Sequence, residues 1–259
     1  MAKRAVKAVA IIPARYGSTR FPAKPLALIA GTPMIQHVYE RAAEAKRVSD
    51  VYVATDDRRI AEVVDGFGGK YIMTSSSLKS GTDRCAEAAK NVKADIIVNI
   101  QGDEPLISPA AIDDTIAALI KSPVSVMSTA AVPIKDEETL NSENVVKVVT
   151  AKNGDALYFT RSVVPRLRGI RSSEYLSHFT FLKHLGVYVY RRAFLQKMKR
   201  FVQTPLETAE KLEQLRVLEN GYTIRVAIVK DDSVSVDVPS DIVEVEEHML
   251  NITSKEKRN

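Results

Sequence analysis

Short apolar runs alternate with amphipathic stretches along the first half of the chain. The apolar runs are Val9–Ile12, Val51–Ala54, Ile96–Ile100 and the weaker Lys70–Met73. The stretches between and after them predict helices over roughly 34–46, 58–67, 82–92 and 109–121. Strands that are apolar on both faces are typical of a parallel sheet covered by helices. The β-α-β-α order therefore predicts an α/β fold with a doubly wound, mostly parallel sheet.

The pattern changes after about residue 145. Two apolar runs, 145–149 and 156–159, flank Asn153-Gly154, which is a strong signal for a β-turn. Leu185–Tyr190 predicts another strand. We therefore expect residues 145–190 to form a smaller mixed-sheet subdomain or a dimerisation arm. A helix over 206–219, a strand over 223–229 and a helix over 240–250 complete the prediction.

Length and composition fit one large α/β domain, which we place over residues 1–259. Hydrophobic residues make up 45% of the 259 positions, enough for a sizeable core. The apolar runs fall short of the roughly 20 residues that cross a bilayer, so we expect no membrane insertion. The single cysteine, Cys85, allows no internal disulfide and fits a reducing compartment. The expected location is the cytoplasm.

The chain is mildly basic, with a net charge of +5 from 37 Lys and Arg against 32 Asp and Glu. These basic residues are spread along the chain, apart from the tail Lys255–Arg258. A solvated surface explains such an excess, and an anionic small-molecule substrate explains it equally well. We expect no nucleic-acid partner.

Candidate chemistry lies where predicted strands end, because ligands of open α/β sheets bind beyond the carboxyl ends of strands. The loop after the first strand contains Arg15, Gly17, Ser18 and Lys24. Its backbone N–H groups and its charged side chains suit phosphate oxygens. The loop has neither Walker A nor G-x-G-x-x-G spacing, and a solvated surface loop is the alternative interpretation.

Three further loops carry polar residues at strand ends. In the loop 79–84, amides near Gly81 suit the edge of a base, although Thr82 as a simple helix cap explains the pattern equally well. Asp103 and Asp237 each follow a β-like run, and Mg²⁺ prefers one or two carboxylates together with water and phosphate oxygens. Ser240 or Asp241 is predicted as a helix cap. Sequence spacing does not show whether Asp103 and Asp237 meet.

A series of motifs resembles the 3-deoxy-manno-octulosonate (Kdo) cytidylyltransferases. In chain order they are Ile12–Leu26 (IPARYGSTRFPAKPL), Val53–Asp56 (VATD), Ser80–Arg84 (SGTDR), Val98–Pro105 (VNIQGDEP), Ala156–Arg161 (ALYFTR), His184–Tyr190 (HLGVYVY) and Leu212–Arg216 (LEQLR). The resemblance runs from about residue 8 to 250. The family's usual Val-Asp-Thr-Pro stands here as Val236-Asp237-Val238-Pro239, so a hydroxyl is lost beside the aspartate.

The resemblance implies a nucleotidyltransferase-type fold, a homodimer with much of its interface in the middle segment, and Mg²⁺-dependent transfer of CMP from CTP to Kdo for lipopolysaccharide synthesis. It implies catalytic roles for Arg15, Lys24, Asp103 and Asp237, the two aspartates as metal ligands. It implies a nucleotide site formed by Pro13, Ala14, Arg15, Lys24, Ser80, Gly81, Thr82, Arg84, Gln101 and Asp103. It implies a sugar-acid site formed by Gln101, Arg161, His184, Tyr188, Glu213 and Gln214.

Other functions fit parts of the same pattern. A cytidylyltransferase for 8-amino-Kdo, a sialic acid or another acidic sugar would share most of the motifs. A metal-dependent glycosyltransferase has a similar style of fold but lacks the first basic loop. A nucleotide-binding or RNA-binding protein without catalysis is the alternative from a different class, and it would release no pyrophosphate. Taken without the motif order, His184 is interpreted as a hydrogen-bonded histidine at a strand edge and Arg161 as a surface charge.

Overall fold

The computed structural model describes residues 6–17 and 21–256, with side chains as far as Leu250. The strands are β1 (Ala8–Ala14), β2 (Leu28–Ile29), β3 (Thr32–Pro33), β4 (Val48–Thr55), β5 (Tyr71–Met73), β6 (Ile96–Ile100), β7 (Met127–Pro133), β8 (Lys147–Thr150), β9 (Ala156–Thr160), β10 (Leu182–Arg191) and β11 (Ile224–Ile228). The helices are α1 (Met34–Ala43), α2 (Arg58–Gly66), α3 (Gly81–Ala88), α4 (Pro109–Lys121), α5 (Glu137–Asn141), α6 (Tyr175–His178), α7 (Arg192–Met198), α8 (Pro205–Glu210), α9 (Leu215–Glu219) and α10 (Asp241–Glu256). Short 3-10 helices lie at Lys24–Leu26 and Ser172–Glu174.

The chain divides into two compact units. The first contains the described residues up to Asp113 and those from Asp232 onward, and the second spans Asp114–Asp231. Among the described residues, no helix is both long and apolar enough to cross a membrane.

The first unit contains a parallel sheet in the order β6-β1-β4-β5. Ile11 at the centre of β1 aligns with Tyr52 on β4 and with Asn99 on β6. The chain proceeds from β1 to β4 and β5 on one side, and β6 returns to the other side of β1. This reversal of strand order makes the carboxyl ends of β1 and β6 the switch point, where α/β sheets bind ligands.

The second unit contains a mixed sheet. Strand β7 runs parallel to β11 and antiparallel to β10, and β8 runs antiparallel to both β9 and β10. The predicted Asn153-Gly154 turn joins β8 to β9, with Gly154 at a φ of 85°, a value that glycine adopts without strain. The β7–β10 pairing is irregular between Leu185 and Tyr188, which is a β-bulge.

The predicted α/β class with a mostly parallel sheet is confirmed, and α4 has the predicted bounds. The single helix predicted over 206–219 is wrong, because the chain forms α8 and α9, separated at Lys211 with a φ of 58°. Ser80, rather than Thr82, caps α3 by accepting a hydrogen bond from the Asp83 amide at 3.0 Å. Strand β7 and helix α7 were not predicted from the sequence.

Two apolar clusters hold loops in place. In the first unit, Val236 is fully buried against Ile29, Met34 and Val245, so the acidic residue that follows it is anchored to the core. In the second unit, the arginine-rich loop over 166–177 contributes Leu167 and Ile170 to a cluster around Phe181. These apolar residues anchor the loop to the second unit.

Candidate active site

A polar pocket of about 250 Å³ lies in the first unit, at the carboxyl ends of β1 and β6. Its walls come from the loop after β1, the 3-10 helix at Lys24, the start of α3 and the loop after β6. The lining residues are Pro13, Ala14, Arg15, Lys24, Pro25, Leu78, Lys79, Ser80, Gly81, Arg84, Gln101, Gly102 and Asp103. Every residue of the predicted nucleotide site lines this pocket except Thr82, which is buried in α3. The lining also includes Pro25, Leu78, Lys79 and Gly102, which were not among the predicted site residues. Pro25 and Gly102 lie within the quoted motifs, and Leu78 and Lys79 directly precede Ser80.

Two glycines allow the walls to approach each other closely. A Cβ atom on Gly81 would lie 3.2 Å from the Pro13 ring, and one on Gly102 would lie 3.1 Å from the Pro13 carbonyl oxygen. Both distances are tighter than side chains normally accept. The start of α3 and the loop after β6 therefore pack directly against the end of β1.

Lys24 contacts both of the aspartates that were predicted as metal ligands. Its Nζ donates to Asp103 Oδ2 at 2.6 Å and to the Val236 carbonyl at 2.5 Å, and it lies 3.8 Å from Asp237 Oδ1. The Val236 amide also donates to the Asp103 carbonyl at 2.9 Å. The two aspartates thus converge on one ammonium group, which the sequence could not show.

The acidic loop is shaped by Asp241. Its Oδ2 accepts hydrogen bonds from the amides of Asp237 and Val238, at 2.7 and 3.0 Å. The carboxylate of Asp241 therefore organises the turn that presents Asp237, in addition to standing at the start of α10. Val238, where the family usually has threonine, is 37% exposed and keeps its backbone hydrogen bond.

The donor set suits a divalent cation shared with a ligand. The described residues include no group of three or more His, Cys, Asp or Glu side chains placed to hold a metal by themselves. Two carboxylates around one positive charge match the coordination of Mg²⁺, which takes one or two carboxylates and completes its shell with water and phosphate oxygens. Asp103 and Asp237 therefore fit a metal that binds together with a phosphorylated substrate.

The two arginines of the pocket differ in their contacts with other side chains. Arg84 is buried, and it pairs with Asp56 at 3.1 Å and donates to Thr74 Oγ1 at 2.5 Å. Asp56 of the quoted VATD motif does not line the pocket itself, but its ion pair holds the lining residue Arg84 in position. Arg15 is exposed and has no ion-pair partner within the described ranges. Arg15 is the more available of the two for an anion.

The Gln101 side chain is oriented by a hydrogen bond to Asn99, two residues earlier in the chain. Its Nε2 donates to Oδ1 of the fully buried Asn99 at 3.0 Å. The Gln101 Oε1 then lies at the pocket wall, 3.6 Å from where a Gly81 Cβ would be. Gln101 therefore presents an acceptor to a ligand in this pocket.

The remaining residues of the predicted sugar-acid site belong to the second unit. The Arg161 side chain donates to the carbonyl oxygens of Glu210 and Glu143, at 3.1 and 2.9 Å. Gln214 is buried, and its Nε2 has no hydrogen-bond partner within the described residues. A buried donor without a partner is costly, which makes Gln214 a candidate for contact with a ligand.

The aromatic members of the set pack together. The His184 ring lies 5.3 Å from the Tyr188 ring and 5.2 Å from the Phe159 ring. Burial lowers the pKa of His184 from its ordinary 6.5 to about 3. His184 is therefore neutral at physiological pH, so it can bind a ligand through hydrogen bonds but not as a cation.

Comparisons with known proteins find relatives along most of the chain. A family model described as cytidylyltransferase matches residues 9–227. Proteins named 3-deoxy-manno-octulosonate cytidylyltransferase from Geobacter metallireducens and Geobacter sulfurreducens are 54% and 53% identical, covering 94% and 93% of this chain and 98% of each relative.

A solved structure of CMP:2-keto-3-deoxy-manno-octonic acid synthetase complexed with CTP superposes with a TM-score of 0.87 at 42% identity. That match covers 95% of this chain and 99% of the other. A 4-diphosphocytidyl-2C-methyl-D-erythritol synthase from Anaerococcus prevotii, at 12% identity and a TM-score of 0.61, shares the fold.

Proposed function

The chain belongs to the 3-deoxy-manno-octulosonate cytidylyltransferase family, and from that membership we propose how its residues carry out the reaction. The enzyme transfers CMP from CTP to Kdo and releases pyrophosphate, which activates Kdo for lipopolysaccharide synthesis. The observation that carries the residue assignments is the pocket of the first unit, in which Lys24 and Asp103 meet beside the motif loops. A protein that binds nucleotides without catalysis is not favoured by the relatives.

The nucleotide is assigned to the pocket of the first unit. Arg15 and Lys24 supply positive charge for the triphosphate, where charge-assisted hydrogen bonds are strong. Ser80, Gly81, Thr82 and Arg84 stand at the start of α3, close to the nucleoside. Arg84 acts there through a buried ion pair with Asp56, so its contribution includes holding the pocket wall.

Magnesium is the proposed cofactor, with Asp103 and Asp237 as its ligands. When bound, the metal lowers the pKa of the acceptor hydroxyl and stabilises the pyrophosphate leaving group. The side chains themselves contribute position and charge. Val236 and Asp241 hydrogen-bond to the backbones of Asp103 and Asp237, respectively, and Lys24 balances the charge of the two carboxylates.

The sugar acid is assigned to Gln101, Arg161, His184, Tyr188, Glu213 and Gln214. Arg161 carries the only permanent positive charge among these six residues, since His184 is neutral. We therefore assign the carboxylate of Kdo to Arg161. The other five supply hydrogen bonds and packing for the hydroxyl groups and the ring.

The chemical step is an in-line displacement at the α-phosphorus. The anomeric hydroxyl oxygen of Kdo forms a bond to the α-phosphorus, and the bond from that phosphorus to the oxygen bridging to the β-phosphate breaks. Pyrophosphate leaves, and the hydroxyl proton passes to solvent. No protein nucleophile is needed, so the enzyme works by positioning the reactants and neutralising charge.

The family resemblance also motivates a proposal for assembly and location. We propose a homodimer in the cytoplasm, with residues 145–190 contributing much of the interface. That segment exposes Leu157, Val164 and Phe179, which are 61%, 37% and 41% accessible in the isolated chain. Cys85 is the single cysteine of the chain and is buried, with its thiol donating to the Ile11 carbonyl at 3.7 Å, which suits a reducing compartment.

Acceptor choice is the most demanding test of the sugar assignment. We expect Kdo to be preferred over sialic acid, with 8-amino-Kdo as the nearest competitor. The sialic acid N-acetyl group and longer chain need extra room. Glu213, the only carboxylate of the sugar set, lies 3.9 Å from Arg216, which reduces its attraction for a cationic amine.

The measurement is a competition assay with limiting CTP and the three acids at equal concentration, with products separated by mass spectrometry. CMP-Kdo should dominate. If CMP-sialate or the 8-amino product dominated, the protein would still be a cytidylyltransferase, but the assignment of Kdo as its preferred acceptor would be overturned.

A further inference from the structure

Thr129 and His184 meet beneath the bulge between β7 and β10. Thr129 on β7 is fully buried, and its Oγ1 lies 2.8 Å from His184 Nε2. The same Oγ1 lies 2.7 Å from the carbonyl oxygen of Val187, which is one of the bulged residues. A bulge leaves backbone groups outside the regular ladder, so the Val187 carbonyl is free to accept from a side chain.

The distances fix where the hydroxyl proton lies. The Val187 carbonyl oxygen can only accept, so an O–O separation of 2.7 Å requires the Thr129 proton between the two oxygens. The carbonyl of Leu185 is a poorer partner at 3.5 Å. Having donated its only proton to Val187, the Thr129 oxygen can only accept from His184, and His184 must carry its proton on Nε2.

The other ring nitrogen is then an acceptor. A neutral imidazole protonated on Nε2 has a lone pair on Nδ1. The structure gives Nδ1 of His184 no hydrogen-bond partner in the described part of the chain, and the residue is 9% exposed. Protonation of Nδ1 is disfavoured because burial lowers the pKa of the ring to about 3. A carboxylate cannot donate to this nitrogen, whereas a hydroxyl can.

We propose that Thr129 is a positioning residue that holds His184 in the Nε2–H tautomer, so that Nδ1 accepts a hydrogen bond from a hydroxyl group of the sugar acid. The proposal rests on the proposed function for the identity of the ligand, but not for the tautomer. It assigns a role to a residue outside the quoted motifs. His184 and Arg161 then have different roles: His184 binds a hydroxyl group of the sugar acid, and Arg161 binds its carboxylate.

The test combines a spectroscopic readout with kinetics. Long-range ¹H–¹⁵N correlation spectra of the histidine-labelled protein without ligand report which nitrogen is protonated. The wild-type protein should show His184 as Nε2–H. Thr129→Val removes the acceptor at nearly constant shape, and it should shift His184 toward the Nδ1–H form. Thr129→Ser should restore the Nε2–H form.

The kinetic arm should show a selective loss of acceptor binding. We expect Thr129→Val to raise the KM for Kdo about tenfold, as for loss of one hydrogen bond, with kcat and the KM for CTP within about twofold. Ser128→Ala is the matched control, because Ser128 is a buried hydroxyl on the same strand that bonds the Thr115 carbonyl at 2.7 Å. It should leave both the tautomer and the KM for Kdo unchanged.

Several results would overturn the proposal. They are an Nδ1–H form of His184 in the wild-type protein, an unchanged tautomer in Thr129→Val, and a shifted tautomer with an unaltered KM for Kdo. If Thr129→Val does not fold, the spectra of the wild-type and Thr129→Ser proteins still decide the tautomer. Failure of the wild-type protein to make CMP-Kdo would overturn the proposed function instead, since the ligand-free spectra do not depend on it.

Discussion

Asp103→Asn and Asp237→Asn are each expected to lower turnover of CTP with Kdo by about 100-fold or more at a fixed magnesium concentration. Asparagine keeps the shape of the side chain and removes the charge. Both carboxylates converge on the ammonium of Lys24, where they suit a metal shared with the triphosphate. Steady-state release of pyrophosphate, measured with saturating Kdo, gives the size of the loss.

The fold should survive both substitutions. The two aspartate side chains are 31% and 48% exposed, so we expect the free energy of unfolding to change by no more than about 1 kcal/mol. Glu44→Gln is a suitable control, since it removes the carboxylate of a surface pair with Arg41, outside the pocket. Near-normal turnover in either aspartate variant at the same magnesium concentration would show that this residue is not an essential ligand.

Lys24→Met should weaken binding of CTP by about 10- to 100-fold while changing binding of CMP only a few-fold. The ammonium is assigned to the distal phosphates, which CMP lacks. Methionine retains much of the apolar stem, so packing beside Pro25 is largely kept. The substitution also leaves Asp103 and Asp237 without their shared positive partner, which adds repulsion against the more highly charged nucleotide.

Calorimetric titration of both nucleotides under identical conditions measures this difference. Lys90→Met is the control, because it removes one positive charge from an exposed pair with Glu87, away from the pocket lining. It should leave both affinities within about twofold. An equal loss of affinity for CTP and CMP in Lys24→Met would contradict the assignment of Lys24 to the distal phosphates.

Strong local patterns predicted the sheet of the first unit well. The apolar runs around Ile11 and Val98 became the buried strands β1 and β6, since such runs are stable only inside a covered sheet. Strand β7 was missed because its Ser128, Thr129 and alanines give no distinct period, and its burial comes from β10 and β11. The break at Lys211 also has no local signal, because a positive φ at lysine is imposed by packing.

The order of the motifs predicted which residues line the site but not the contacts between them. That order predicted that Arg15, Lys24 and Asp103 share one site, and all three line the pocket of the first unit. It did not show that Lys24 bridges to the Val236 carbonyl, 212 positions away in the chain. It also did not show that Asp56 holds Arg84, or that Thr129 sets the tautomer of His184. Such contacts depend on three-dimensional packing, which a spacing pattern does not encode.

The most direct test of the reaction is to follow CTP and Kdo with magnesium and identify every product by mass spectrometry and ³¹P NMR. The enzyme should form CMP-Kdo and pyrophosphate in equal amounts, and both should disappear when Kdo is left out. Conversion of CTP to free CMP or CDP without CMP-Kdo, or no consumption of CTP when all three components are present, would contradict the account.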